Sequence, residues 1–210
     1  MNQNETRRKR IPTFEETATF HGHACPGLAL GYRVAVAAMN RLCAARAEDE
    51  DLVAIVENDA CGVDAVQYVC GCTFGKGNLI FRDHGKHVYT VFNRTTGTGI
   101  RIYAEAPQTV ESGTAVLARK TNRTADEQTT LDEGRKRRTD WLMSLAEHDL
   151  LRIVDVREPP PARARIHAAN RCPGCGERMM ETRCRVVGAR KLCIPCAQQA
   201  DSSSSAAKSR

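Results

Sequence analysis

The feature that most constrains this chain is a set of four cysteines near its C-terminus, arranged as two C-x-x-C pairs. The pairs are separated by seventeen residues and consist of Cys172, Cys175, Cys193 and Cys196. Four thiolates at this spacing are typical of a tetrahedral zinc site with two knuckles, and Val186–Arg190 between them has the composition of a hairpin. So short a segment buries too little apolar surface to fold unaided, so we expect the metal to supply its folding free energy. Four protein ligands leave no open position, which predicts a structural zinc ribbon; redox C-x-x-C chemistry is the alternative.

A second group of metal-type side chains lies in residues 21–27, which read His-Gly-His-Ala-Cys-Pro-Gly. If this run is extended, alternation places His21, His23 and Cys25 on one face. Pro26 suits the first position of a helix, which makes Cys25 its predicted N-cap, where the helix dipole favours a thiolate. A single His or Cys is more often an ordinary surface or core residue. Three donors at alternate positions favour a metal or thiol site instead.

A third thiol, Cys61, has the same predicted setting, because the buried strand 52–56 ends in polar residues and a helix begins near Gly62. If the two helix N-termini converge, Cys61 and Cys25 join one or both histidines in a Cys2His or Cys2His2 set for zinc or another transition metal. Asp64 is then expected to orient a ligating histidine or to contribute an oxygen. The alternative is that Cys61 is a packed core thiol and Asp64 a first-turn acid favoured by the dipole.

A glycine-rich loop with one lysine follows this helix, over residues 70–78. It is not a P-loop, because a strand over 79–82 rather than a helix comes after it. Two interpretations remain open for the loop. In one it lines the site and touches substrate through Cys72, Thr73 or Lys76; in the other it is a plain connection.

The order of the remaining patterns is that of an α+β domain, with helices packed on a mainly antiparallel sheet. Thr13–Glu16 reads as a capping box that opens a short helix, and apolar spacing predicts a longer helix over 26–46. Strand patterns over 87–93 and 99–104 flank a turn, which indicates an antiparallel pair.

Further along the core, short and long helices are predicted over 109–119 and 125–147, and a last strand over 151–156. The long helix is expected to turn Leu131, Trp141, Leu142 and Leu145 inward. Proline residues 159–161 then mark a domain boundary. The predicted organisation is a disordered basic arm over 1–10, a metal-binding core domain over 11–158, a linker over 159–170, the ribbon over 171–200 and a disordered tail over 201–210.

The net charge of +6 belongs to the C-terminal part, which carries ten Lys and Arg against three Asp and Glu after residue 158. Such a surface can attract nucleic acid, but no aromatic residue follows Trp141 to stack on bases, so a solvated surface is favoured. No apolar segment follows the basic residues Arg7–Arg10, and no apolar run is long enough to span a membrane. The sequence predicts a cytoplasmic protein whose thiols are reduced or hold metal.

Four motifs in this order resemble the E-subunit family of formylmethanofuran dehydrogenase. They are residues 21–27, 61–67 (Cys-Gly-Val-Asp-Ala-Val-Gln), 71–78 (Gly-Cys-Thr-Phe-Gly-Lys-Gly-Asn) and 83–86 (Asp-His-Gly-Lys). The C-terminal cysteine pairs also match, since longer members append a ribbon. The resemblance implies an α+β core, a homodimer, a ribbon zinc and a core metal site made of His21, His23, Cys25 and Cys61.

The resemblance also implies a role beside a molybdenum or tungsten oxidoreductase of one-carbon metabolism, as an accessory component of a formylmethanofuran dehydrogenase-like or other redox complex. The leading interpretation is therefore a metal-binding accessory protein. A second is a metal-dependent enzyme whose core zinc keeps a water position open and activates that water. A third is a regulator whose basic ribbon binds nucleic acid or RNA polymerase.

Overall fold

The computed structural model describes residues 10–107 and 113–207, in two compact units divided after Ala164. This division falls inside the predicted linker, 159–170. Of the predicted basic arm, only Arg10 belongs to the described residues.

The first unit contains a five-stranded sheet and helices. Its elements are α1 (Phe14–His21), α2 (Pro26–Arg41), β1 (Leu52–Val56), α3 (Gly62–Cys70), β2 (Leu79–Phe81), β3 (Val88–Asn93), β4 (Thr98–Ala104), α4 (Gly113–Arg119), α5 (Ala125–Ser144), α6 (Glu147–Leu150) and β5 (Leu151–Val156). The start of the helix predicted over 109–119 lies outside the described residues.

The sheet has the strand order β2-β1-β3-β4-β5. β1 pairs in parallel with β2, and the β1–β3, β3–β4 and β4–β5 pairs are antiparallel. The α+β class with a mainly antiparallel sheet is therefore confirmed. The parallel pair requires a crossover, which α3 supplies, as parallel strands do not connect through a hairpin.

α2 packs its apolar face on the sheet and crosses α3 at two glycines. Leu30, Val34 and Ala38 of α2 are buried in the main core together with residues of β1. At the crossing, a Cβ placed on Gly31 would lie only 2.2 Å from the Cα of Gly62. The two backbones therefore touch, and this contact sets where the N-termini of α2 and α3 lie relative to each other.

The observed first residues of α1 and α2 agree with the sequence-based predictions more closely than the observed last residue of α2 does. The capping box is confirmed, with Glu16 N donating to Thr13 Oγ1 at 3.3 Å and Thr13 N to Glu16 Oε2 at 2.7 Å. α2 begins at Pro26 as predicted but ends at Arg41, so its predicted end at 46 is wrong. The chain leaves the helix through Cys43, whose φ of 45° is left-handed, in a conformation that helix ends usually give to glycine.

α5 is charged on its outer surface and buries part of its apolar face. Leu131 and Leu142 are buried, and Trp141 and Leu145 are partly buried against the core, as the apolar spacing predicts. The guanidinium of Arg138 lies 4.2 Å from the ring centre of Trp141. Among the described helices, none is long and apolar enough to cross a membrane.

The second unit consists of two hairpins and a helix. Its elements are β6 (Ala169–Arg171), β7 (Arg178–Met180), β8 (Cys184–Val187), β9 (Arg190–Cys193) and α7 (Ile194–Ala207). The β8–β9 hairpin turns within the predicted segment Val186–Arg190. α7 continues to Ala207, although the sequence predicts a disordered tail from residue 201. A helix that is already nucleated extends at little cost through serine and alanine.

Candidate metal centre

Three of the predicted donors meet where α1 is followed by α2. The ligand atoms of His21, His23 and Cys25 all lie within 4.8 Å of one another. The expectation that they meet because residues 21–25 are extended is wrong, since His21 is the last residue of α1. Gly22 then turns the chain at a φ of 98°, and this left-handed turn, not strand alternation, brings the donors together.

Cys25 is the N-cap of α2, as predicted. Its backbone is extended, with φ −147° and ψ 162°, and Pro26 occupies the first helical position. Leu28 N donates to Cys25 Sγ at 3.4 Å. A backbone N–H and the positive end of the helix dipole therefore face the sulfur, a position that suits a sulfur ligand of a metal ion.

His21 is oriented from the opposite side by Asp64, the residue for which the sequence proposed this role. Asp64 Oδ2 lies 2.7 Å from His21 Nδ1, and Gln67 Nε2 donates to the other carboxylate oxygen at 3.1 Å. A carboxylate at Nδ1 keeps the proton on that nitrogen and leaves the lone pair of Nε2 for a metal. That Nε2 lies 3.9 Å from Cys25 Sγ.

Cys61 lies beside this group, immediately before α3. It packs in one apolar cluster with Cys25, and its Sγ would lie 3.7 Å from a Cβ placed on Gly27. Burial raises the pKa of the Cys61 thiol, and the neighbouring Cys25 raises it further. The structure thus brings the fourth predicted donor next to Cys25, although Cys61 is not one of the three residues whose ligand atoms all lie within 4.8 Å.

An open groove of about 420 Å³ begins at this cluster. Its polar lining includes His21, Cys61 and Asp64, and its apolar lining includes two aromatic rings. Phe74 is 77% exposed there and Phe81 45%. The remaining lining residues are Val56, Asn58, Asp59, Ala60, Val63, Gln67 and Leu79, so no Lys or Arg is found in the described lining.

The glycine-rich loop residues named from the sequence make other contacts. Lys76 Nζ donates to the backbone carbonyls of Ala47, Glu48 and Asp49 at 3.1–3.4 Å. Thr73 accepts from Lys76 N through its hydroxyl, and Cys72 is fully buried. Burial raises the pKa of Cys72 to about 12. None of these three side chains belongs to the described groove lining, to which the loop contributes Phe74 instead.

The four C-terminal sulfurs form a second cluster, with all of them within 4.8 Å of one another. Thiolates about 2.3 Å from a tetrahedral zinc are about 3.8 Å apart, and Cys175 Sγ and Cys193 Sγ are 3.8 Å apart. The backbone N–H groups of Cys193 and Gly174 lie 3.3 and 3.4 Å from Cys172 Sγ. The cluster fits a zinc ribbon.

The same backbone N–H groups change the pKa of a thiol in the cluster. The N–H of Cys193, and then those of Cys175 and Gly174, lower the pKa of Cys172 to about 6. The thiol of Cys193 and burial raise the pKa of Cys196 to about 12. The arrangement thus favours one thiolate in the metal-free cluster, and a bound cation is needed to hold the four sulfurs together as thiolates.

The fold and these clusters define an α+β protein with two candidate metal sites, one beside an open groove and one closed by four cysteines. The chain belongs to the FmdE family, described as "FmdE, Molybdenum formylmethanofuran dehydrogenase operon", whose model matches residues 20–152. The family resemblance inferred from the four motifs is therefore confirmed.

Two further proteins are similar to this chain. A curated protein of Archaeoglobus fulgidus, named "Probable S-adenosyl-L-methionine-binding protein", is 34% identical over 188 residues, which are 85% of this chain and 50% of that protein. The chain thus spans about half the length of this relative. The crystal structure of a protein from Syntrophus aciditrophicus, described as a "tungsten formylmethanofuran dehydrogenase subunit e (fmde)-like protein", shares the fold. Its TM-score is 0.60 at 23% identity, with coverage of 90% of this chain and 96% of that chain.

The groove itself is the part of the site that sequence reasoning missed. Phe74 and Phe81 come from different elements, and Asn58 reaches the groove from the end of β1. The sequence signal that identifies Phe74 is an aromatic residue within a glycine-rich loop. Such a loop has no core of its own in which to bury a ring, so the ring is expected to be exposed.

Proposed function

We propose that this chain is a metal-binding accessory protein related to the FmdE component of formylmethanofuran dehydrogenase. Its core site is formed by His21, His23 and Cys25 with Cys61, and its ribbon cysteines hold a structural zinc. The observation that carries the proposal is the convergence of three donor atoms within 4.8 Å beside an oriented His21. A packed core cysteine or a surface histidine has no need of such an arrangement.

The donor set favours a transition metal of borderline softness. Two imidazoles and two thiolates suit zinc, and iron, nickel and copper accept the same donors. Because His23 is exposed and the groove opens beside Cys61, a ligand from the groove has access to such an ion. A bound ion would act there as a Lewis acid, and this is the basis of the enzymatic alternative.

The first experiment is elemental analysis of protein purified under reducing conditions. We expect two ions per native chain and one in a Cys25→Ala, Cys61→Ala double variant. Cys43→Ala is the matched control, because Cys43 is an exposed cysteine at the other end of α2 and should leave both ions in place. One ion in both the native chain and the double variant would refute the core site.

Family membership also motivates proposals about partners. We propose a homodimer that associates in the cytoplasm with a formylmethanofuran dehydrogenase-like or other molybdenum or tungsten redox complex of one-carbon metabolism. Light scattering of the purified chain should give twice the monomer mass of 23.1 kDa. A monomer at all concentrations would contradict the dimer.

A second candidate function is the binding of an organic cation in the groove. The described lining holds Asp59, Asp64 and Cys61 and no Lys or Arg, so its charged side chains favour an organic cation over an organic anion. The exposed rings of Phe74 and Phe81 present the electron-rich faces that attract cations. S-Adenosylmethionine is a sulfonium of this class, and it is the ligand in the name of the Archaeoglobus relative.

This candidate is tested by calorimetry with S-adenosylmethionine and with its uncharged thioether, S-adenosylhomocysteine. We expect the sulfonium to bind about tenfold more tightly, since cation–π contacts contribute about 0.5–2 kcal/mol. Phe74→Leu should remove that preference while keeping an apolar side chain. Val154→Leu, at an exposed apolar position on β5, is the control. Equal affinity for the two ligands would refute the cation site.

A further inference from the structure

Tyr89 carries a buried hydroxyl that lies outside the donor cluster. It belongs to β3, paired with Val56 of β1 and Ile102 of β4, and its side chain is fully buried. Within the described part of the chain, its Oη has no hydrogen-bond partner. A buried hydroxyl without a partner is costly, so this atom is expected to have a function or an absent partner.

The hydroxyl is directed at the start of α3. A Cβ placed on Gly62 would lie 2.6 Å from Tyr89 Oη, so the oxygen lies against the residue that follows Cys61. Gly62 thus makes room both for α2 and for this hydroxyl. A side chain at position 62 would displace one or the other.

The neighbouring amide of Asn58 is already engaged. Asn58 Nδ2 donates to Lys86 O at 2.7 Å, and Asn58 Oδ1 accepts from Ala60 N at 3.0 Å. Both ends of that amide therefore hold the loop before α3 in place. Two acceptors lie near the Tyr89 hydroxyl: burial raises its pKa, the Asn58 side chain lowers it, and the neighbouring Cys61 raises it. Of the two, the sulfur of Cys61 gains strength when a metal binds, because sulfur is a weak acceptor as a thiol and a strong one as a thiolate.

We propose that Tyr89 Oη donates a hydrogen bond to Cys61 Sγ when Cys61 is bound to metal, which makes Tyr89 a positioning residue of the core site. The inference rests on the proposed function, because it needs an ion at Cys61. The proposal explains why the Tyr89 hydroxyl lacks a hydrogen-bond partner in the metal-free protein. Cys61 becomes a strong acceptor only when a bound metal keeps it as a thiolate. Hydrogen bonds to a ligating sulfur orient it and withdraw charge from it.

The test compares Tyr89→Phe with the native chain after loading with Co²⁺, whose thiolate charge-transfer absorption reports on the sulfur. We expect the band to shift and the affinity for Co²⁺, measured against a competing chelator, to fall about 10–100-fold. The thermal stability of metal-free Tyr89→Phe should be equal to or above that of the native chain, because no hydrogen bond is lost.

Tyr32→Phe is the matched control. Tyr32 Oη donates to Pro12 O at 3.0 Å, so this variant loses an existing hydrogen bond and should lower stability without shifting the band. An unchanged band and affinity in Tyr89→Phe would overturn the inference alone. A loss of metal-free stability would also overturn it, since the hydroxyl would then have a partner within the protein. Failure of the native chain to bind Co²⁺ outside the ribbon would instead overturn the proposed function.

Discussion

Asp64 Oδ2 lies 2.7 Å from His21 Nδ1, so the first turn of α3 holds the last residue of α1. The two residues are 43 positions apart in the chain. Gln67 fixes the second carboxylate oxygen from one turn further along α3. The direction in which His21 presents Nε2 is thus decided by a helix that also begins beside Cys61.

Removal of this carboxylate is expected to weaken the core site without unfolding the chain. Asp64→Ala frees the His21 ring and lets either nitrogen carry the proton, so we predict metal affinity about 10–100-fold lower. Asp59→Ala removes the same charge from an exposed position of the same groove and is the control. Chelator competition measures both variants, and equal losses would show that charge alone, and not orientation, matters.

A methyl group at the crossing of α2 and α3 is expected to separate Cys25 from Cys61. The Cβ of Gly31→Ala would overlap the backbone of Gly62, which cannot move aside as a flexible side chain would. Overpacking of this kind costs about 1–3 kcal/mol or more, beyond the ~1 kcal/mol that alanine gains in helix propensity. We therefore predict a lower free energy of unfolding, in chemical denaturation, together with loss of the core ion.

Gly75→Ala is the control for this prediction. A Cβ at Gly75 meets nothing within 4 Å, so the variant should change the free energy of unfolding by less than about 0.5 kcal/mol. If Gly31→Ala behaves like Gly75→Ala and retains two ions, the crossing does not set the geometry of the site.

Lys76 is expected to act on stability rather than on ligand or metal binding. Its ammonium donates to three backbone carbonyls of the turn before β1. Lys76→Met keeps the aliphatic stem and removes these charge-assisted hydrogen bonds, so we predict a loss of about 1–3 kcal/mol in the free energy of unfolding. Metal content should stay at the native value, and a selective loss of groove binding would instead favour the substrate-contact interpretation.

Acid is expected to weaken the ribbon through Cys172. Backbone N–H groups lower the pKa of this thiol from 9.0 to about 6 in the folded chain. Between these values the unfolded chain binds more protons, so the stabilisation from this thiolate is full above pH 9 and is lost as the pH falls through 6. Because the four thiols titrate together, the prediction concerns the first proton lost by the cluster.

The measurement is a titration of the thiolate absorbance of metal-free protein under reducing conditions. One thiolate should appear near pH 6 in the native chain and be absent from Cys172→Ser. Cys184→Ser, which changes the cysteine of the ribbon outside the two pairs, should retain that step. A first step near pH 9 in the native chain would contradict the prediction and would mean that the backbone N–H groups do not face Cys172 in the metal-free ribbon, which is the result expected if the ribbon unfolds without its metal.

Local features of the structure could be predicted because their causes are local. The capping box at Thr13, the helix start at Pro26 and the N-cap role of Cys25 each depend on residues within one turn of the chain. The four ribbon cysteines belong here too, since two short knuckles determine most of their geometry. The end of α2 was missed because Cys43 adopts a left-handed conformation without the glycine that would have marked it.

The sequence by itself determined which candidate donor residues this protein has, that Cys25 and Cys61 precede helices, and to which family the chain belongs. Only the tertiary structure decided that Asp64 faces His21, that Cys61 lies beside Cys25, and that Phe74 and Phe81 border one groove. These relations join separate elements, and they depend on the backbone contact of α2 with α3 and on the position of α3 above the sheet. Spacing along a chain specifies geometry within one element, whereas packing between elements specifies which of them meet.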